Sequence, residues 1–186
     1  KDTGLLFDIL ENMACKLLDN LEEYLPDNLK SNLNMPLSQM VKSSEHSLLR
    51  PIYYPKLNGL EPKGAIRSAP HEDIDMLTLI AAPSAPGLQV KDKSDKWLDV
   101  PCDPRLLVIN SGDLLAECTQ NFYPSTTHRV VNPNFYDKTN HKYSDDRVSV
   151  PLFLHPHDNI VLSDKHTAYS FRRERFIELG LINPKK

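Results

Sequence analysis

Three side chains of this sequence have the types and order needed to hold one metal ion. They are His71 and Asp73, in the stretch His71-Glu72-Asp73, and His128, in His128-Arg129-Val130. On an extended strand, residues two apart project to the same side, so His71 and Asp73 would share a face. A second histidine from a distant strand completes a 2-His-1-carboxylate set. Such a set holds Fe(II) and leaves neighbouring coordination positions open for a co-substrate and oxygen. Arg147 and Ser149 form another same-face pair. Arginine grips a carboxylate through a planar fork of donors, and a serine hydroxyl adds one more. If their strand faces the iron site, they make a seat for an anionic co-substrate.

Each piece also has a plainer reading. A histidine on a strand more often serves structure than a metal, and Arg147 could lie on the surface, paired with Asp145 or Asp146. The cluster His155-Pro156-His157-Asp158 reads as a turn after the last strand, because Pro156 breaks the strand. The Leu77-Thr78-Leu79-Ile80 run and residues 106–109 read as core strand positions without chemistry. Trp97 reads as a core or barrel-edge anchor, and Gly87 and Gly112 as turn glycines. Cys102 and Cys118 read as buried or half-buried thiols. Arg172, Arg173, Glu174 and Arg175 read as a solvated helical face.

The elements that must position these residues follow from periodicity. Leu6, Ile9, Leu10, Met13, Leu17 and Leu21 recur at helical spacing and predict an amphipathic helix over about residues 4–24, stopped by Pro26. Residues 27–47 are polar and irregular, with a short helical piece around 37–41. Beyond them, short apolar runs at 48–54, 77–80, 88–90, 97–100, 106–109, 114–117, 126–131 and 147–154 alternate with Pro, Gly, Asn and Asp. That pattern predicts a sandwich or barrel of short strands. A jelly roll would bring Asp73 and His128 back onto one site, because its strands alternate between two facing sheets. Residues 132–146 read as a polar, exposed hairpin loop. A helical pattern over 165–179, stopped at Gly180, closes the chain.

The bulk properties narrow the classes. A length of 186 residues suits one well-buried domain. The formal charge of −3 and pI near 6.2 argue against broad electrostatic binding to nucleic acid or an anionic membrane. No apolar run approaches the ~20 residues that span a bilayer, and no signal-peptide pattern is visible. Three cysteines without a close-spaced pair fit a reducing interior, so the expected location is cytoplasmic. The chain opens on Lys1 and a helical pattern begins at once, which predicts a piece of a longer protein.

Residues 50–156 resemble the isopenicillin N synthase-like branch of the iron and 2-oxoglutarate-dependent oxygenases. Ile52-Tyr53-Tyr54-Pro55 resembles that family's Asn-Tyr-Tyr-Pro strand, and HEDIDMLTLI its H-x-D-x-x-x-L-T-L block. Pro86-Gly87-Leu88-Gln89-Val90 followed by Trp97, and Val108-Ile109-Asn110-Ser111-Gly112-Asp113, resemble two further landmarks. His128-Arg129-Val130 and Arg147-Val148-Ser149, with Phe153 and Pro156, complete the series in the family's order.

The resemblance implies a mainly β fold, a double-stranded β-helix (jelly roll) with an N-terminal amphipathic helix and a C-terminal helix. The expected division is a helical lead-in at 1–47, the oxygenase core at 48–163, and a C-terminal helix and tail at 164–186. The resemblance makes His71, Asp73 and His128 the iron ligands. It makes Arg147 and Ser149 the clamp on the distal carboxylate of 2-oxoglutarate, with Tyr54 a third contact. It implies Fe(II), 2-oxoglutarate and O2, with ascorbate a candidate reductant. The reaction would hydroxylate, desaturate or cyclise a small organic substrate and release succinate and CO2.

Three departures stand out. Ile52 replaces an Asn that helps hold the co-substrate, the spacer 129–146 is longer than usual, and a substantial N-terminal region of the family is absent. Two alternatives follow: an iron oxidase of the isopenicillin N synthase type that does not use 2-oxoglutarate, and a non-catalytic jelly-roll module that binds a ligand. The intact His-Asp-His set argues against the second.

Overall fold

The computed structural model describes residues 2–58, 60–81, 83–132 and 146–183. Helix α1 (Asp2–Glu23) leads in, followed by the short helices α2 (Asp27–Lys30) and α3 (Leu37–Val41). Strands β1 (Leu48–Leu49) and β2 (Ile52–Tyr54) come next, then β3 (Ser68–His71), β4 (Leu77–Ala81), β5 (Leu88–Lys91), β6 (Trp97–Asp99) and β7 (Leu107–Ser111). Helix α4 (Asp113–Cys118) separates β7 from β8 (His128–Val130), and β9 (Arg147–Leu154) and α5 (Ala168–Glu178) complete the order.

Every strand pairing is antiparallel. One sheet runs β1-β9-β4-β7, with β2 beside β1 on the same edge of β9, and the other runs β3-β8-β5-β6. The chain changes sheet between β2 and β3, β3 and β4, β4 and β5, β6 and β7, β7 and β8, and β8 and β9. That alternation is the expected jelly roll, and it lets residues far apart in sequence face one another.

The larger sheet has two different faces, and the period of two in its strands builds both. Leu77 and Leu79 of β4, with Leu152 and Leu154 of β9, join the main core against Leu10, Ala14 and Leu18 of α1. Their neighbours Thr78, Ile80, Arg147, Ser149, Pro151 and Phe153 turn to the cavity between the sheets. Ile80, Leu88 and Val130 form a smaller cluster bridging the two sheets there.

Several sequence expectations need correction. In α1 the buried row is Leu10-Ala14-Leu18, whereas Ile9 and Met13 of the predicted stripe are exposed. The apolar arc of this helix is wider than its contact, and the small Ala14 sits where the helix meets the sheet. Residues 114–117 lie in a helix, not a strand, because a run of four residues is too short to carry a periodicity that tells the two apart. Leu106, in the turn before β7, and Ile109, on the edge strand β7, are exposed. Cys102 is exposed, Cys15 half-buried and Cys118 buried, with burial pushing the Cys118 thiol up to about 12.

Other expectations hold. The helical piece around 37–41 is α3, and His155-Pro156-His157-Asp158 follows β9 as a non-helical turn. Thr167 caps α5 reciprocally with Ser170, and Gly180 follows it with φ +70°. The hairpin loop expected at 132–146 lies almost wholly outside the described residues. No described helix is long and apolar enough to cross a membrane.

Candidate metal centre

Strand pairing assembles the metal face. His71, the last residue of β3, is directly opposite His128, the first of β8. Asp73 is not on the strand with His71, as the spacing suggested, but two residues beyond its end in the connection to β4. The three still converge. His71 Nε2 lies 3.7 Å from Asp73 Oδ1, and His128 Nε2 lies 3.7 Å from Asp73 Oδ2. One ligand atom from each residue lies within 4.8 Å of the other two.

The histidines are oriented by their other nitrogens. His71 Nδ1 is 2.8 Å from Ala69 O, and His128 Nδ1 is 3.0 Å from Thr126 O. A carbonyl only accepts, so each Nδ1 donates its proton and each Nε2 lone pair is left facing the shared space. Asp73 and His128 are buried while His71 is exposed, so the face is closed on one side and reachable from the other.

Thr78 belongs to this site, although its run read as core without chemistry. Its Oγ1 lies 2.6 Å from Asp73 Oδ2 and 2.7 Å from Asp75 Oδ2. Asp75 is fully buried. Desolvation, and then the adjacent Asp73 charge, raise its carboxyl well above the ordinary range. The turn before α4 closes over this network: Asp113 N–H donates to Asp73 O at 2.8 Å, and Leu114 N–H donates to Asp75 O at 3.0 Å. A Cβ at Gly112 would collide with Asp75 Oδ1 and with the Asp75 backbone oxygen. Gly112 is thus required by close approach rather than by ordinary turn chemistry. Gly87, with φ +124°, answers the turn reading.

The second half of the site lies along β9. Tyr54 is directly opposite Arg147, and Ile52 directly opposite Ser149. Arg147 is 1% exposed, which rules out the surface reading, and Asp146 is not its partner. Its Nε donates to Ala85 O at 3.1 Å, and its guanidinium carbon lies 5.1 Å from the Tyr54 ring centre. Its Nη1 is buried with no hydrogen-bond partner. Burial pulls its pKa below the usual arginine range. An orphaned donor beside the Ser149 hydroxyl is a cradle for an anionic group. The metal face and this cradle line one cavity of about 370 Å³.

A profile of the 2OG-Fe(II) oxygenase superfamily matches residues 45–156, which carry the metal face and the cradle. The chain belongs to this superfamily. A 2-oxoglutarate-dependent dioxygenase of Aspergillus rugulosus, htyE, is 32% identical over 154 residues, 80% of this chain and 46% of its own length. A crystal structure of a presumed oxygenase from Shewanella oneidensis superposes with a TM-score of 0.84 at 44% identity, covering 96% of this chain and 64% of that one. A full-length Neurospora crassa protein in complex with alpha-KG and thymine superposes with a TM-score of 0.67 at 25% identity, over 83% of this chain and 44% of that one. The chain thus spans about half the length of the curated relative it matches.

Besides Thr78, two arginines of the cavity escaped the sequence reading, Arg50 and Arg67. Arg67 Nη2 donates to Pro55 O at 3.2 Å, and its guanidinium carbon lies 5.9 Å from the Tyr54 ring. Neither carries a motif, because each is an arginine between strands whose direction is set only by tertiary pairing. Outside the site, His157 is held by Glu45 at 3.0 Å and by Lys42 O at 3.2 Å, a structural role. Trp97 stacks under Arg129, 4.0 Å from its guanidinium carbon, on edge strand β6.

Proposed function

We propose that this chain is the core of a non-haem Fe(II)- and 2-oxoglutarate-dependent oxygenase that oxidises a small organic molecule, releasing succinate and CO2. In this reading His71, Asp73 and His128 hold the iron, and Arg147, Ser149 and Tyr54 seat the distal carboxylate of 2-oxoglutarate. In the same reading residues 48–163 form the oxygenase core, preceded by the helical lead-in 1–47 and followed by the C-terminal helix and tail 164–186. The observation that carries the proposal is the orphaned, buried Arg147 Nη1 in the same cavity as a three-residue metal face. A metal site alone suits many chemistries. A metal face sharing a cavity with an anion cradle suits a keto acid that reaches both.

The side chains present divide the work. Bound iron and keto acid together supply the oxidising chemistry. Asp73 contributes the one negative charge of the face, and the two imidazoles contribute neutral donors fixed in tautomer by Ala69 O and Thr126 O. Arg147 meets the co-substrate carboxylate with a donor that no protein group occupies, in a setting where burial strengthens the pairing. Ile80, Leu88 and Val130 line the space between and keep it apolar, which excludes bulk water from the reacting groups.

The test is anaerobic addition of Fe(II) and 2-oxoglutarate to the intact protein. A visible charge-transfer band, followed by succinate on admitting air, is the expected outcome; the absence of both would sink the proposal. One observation favours a second reading: Ile52, opposite Ser149, offers the cradle no polar group. Iron binding without the keto-acid band would point to an iron oxidase that does not use 2-oxoglutarate.

A further inference from the structure

The described charged side chains around the cavity are unbalanced. Three arginines, Arg50, Arg67 and Arg147, face it, against the single carboxylate of Asp73. The whole chain, by contrast, carries a net charge of −3. Fe(II) and the doubly negative 2-oxoglutarate cancel each other, so the cationic excess persists when both are seated. Arg147 is committed to the co-substrate in the proposed function, on which this inference rests. Arg67 is engaged by the fold, through Pro55 O among other contacts.

Arg50 is different. It joins β1 to β2, and its N–H donates to Pro151 O at 2.9 Å, which fixes its backbone against the cavity-lining row of β9. Among the described residues its guanidinium has no hydrogen-bond or ion-pair partner. Beside it along β9 lie Pro151 and Phe153, which make an apolar floor. Phe153 is directly opposite Thr78, the residue that holds Asp73, so the floor runs from the metal face toward Arg50. A ligand lying on that floor would present an apolar body to the metal face and its far end to an unused guanidinium.

We infer that the primary substrate is an organic acid, with its apolar body on Pro151 and Phe153 and its carboxylate received by Arg50. Arginine suits this role because its fork grips a carboxylate through two parallel hydrogen bonds, a recognition that an uncharged isostere cannot match.

The test uses hexanoate and phenylpropanoate as probes, each against its uncharged amide. Binding to the anaerobic Fe(II) and 2-oxoglutarate-loaded protein is read by calorimetry, while the charge-transfer band reports the co-substrate in the same sample. The acids are expected to bind roughly tenfold or more tightly than their amides. Arg50→Ala should erase the difference, Arg50→Lys should keep part of it, and the band should persist throughout. Acids that bind no better than amides, or a preference that survives Arg50→Ala, would overturn the inference. So would bleaching of the band by the acids, which would place them on Arg147. If the unaltered protein shows no band, the co-substrate reading fails. The calorimetric preference for acids still decides the role of Arg50 separately.

Discussion

Thr78 Oγ1 has one proton and two carboxyl neighbours, Asp73 Oδ2 and Asp75 Oδ2. It can donate to only one of them, so the other contact needs a proton from the carboxyl side. Burial raises the Asp75 carboxyl well above the ordinary range, which makes it the side of the pair that favours carrying that proton, so that Thr78 turns its own toward Asp73. Replacing Thr78 by Val should therefore weaken Fe(II) binding about 10–100-fold, the usual cost of losing a group that orients a ligand; anaerobic calorimetry reads this directly, and an unchanged affinity would mean that backbone contacts alone orient Asp73. Asp73→Ala should abolish iron binding altogether in the same measurement. For the cradle, Arg147→Ala should spare iron but weaken 2-oxoglutarate by about 2–5 kcal/mol, since a buried charge pair loses one partner. A parallel loss of iron would show that Arg147 supports the fold rather than the co-substrate.

Helix α5 read in sequence as a solvated charged face, yet its charges tie it to other elements. Arg172 pairs with Asp158, Arg175 Nε lies 3.2 Å from Asp113 Oδ2, and Glu174 meets His166 at 3.1 Å. His166 Nδ1 also lies 2.8 Å from Glu117 of α4. Both ring nitrogens face carboxylates, so both must donate and the imidazole is charged. The hydrogen bond to Glu117 holds its pKa above 6.5. Burial pushes the Glu117 carboxyl up, but bonds from His166 and Ser163 pull it below 4.5 overall. The sign follows from linkage. The histidine contribution is complete below pH 6.5 and is lost as pH rises through the raised value, while the glutamate contribution is lost only as pH falls through its lowered value. Thermal midpoints should therefore fall as pH climbs above about 6.5, and His166→Gln should flatten that slope. An identical slope in the variant would remove His166 from the account. In the sheet the ties are apolar: Leu79 of β4 is fully buried in the main core. Leu79→Ala should cost about 2–5 kcal/mol in denaturant unfolding.

Over the whole molecule, sequence and tertiary structure divided the information along physical lines. By itself the sequence determined the strand-rich class and the helices at the two ends, and it singled out His71, Asp73 and His128 as metal-ligand candidates and Arg147 and Ser149 as candidates for an anion cradle. Those were legible because chemistry fixes residue type, periodicity fixes element type, and an ordered family pattern joins them. It did not determine which side of α1 meets the sheet, because the apolar arc is wider than the contact and Ala14 gives no signal of its own. Nor could it separate helix from strand at 114–117, where four residues are too few to show a period. Asp75, Thr78 and Gly112 became a single unit only when the turn before α4 folded over the 73–76 connection, a contact between segments far apart in sequence. Arg50 gained its meaning the same way. Any arginine between two strands looks solvated in sequence; this one does stay exposed, but pairing of β1 and β2 with β9 sets it along a cavity that Arg67 and the buried Arg147 also line. Side-chain chemistry is a property of residues and so is written in the sequence. Which charges share a low-dielectric space depends on distances between strands, and those exist only once the two sheets have closed on each other.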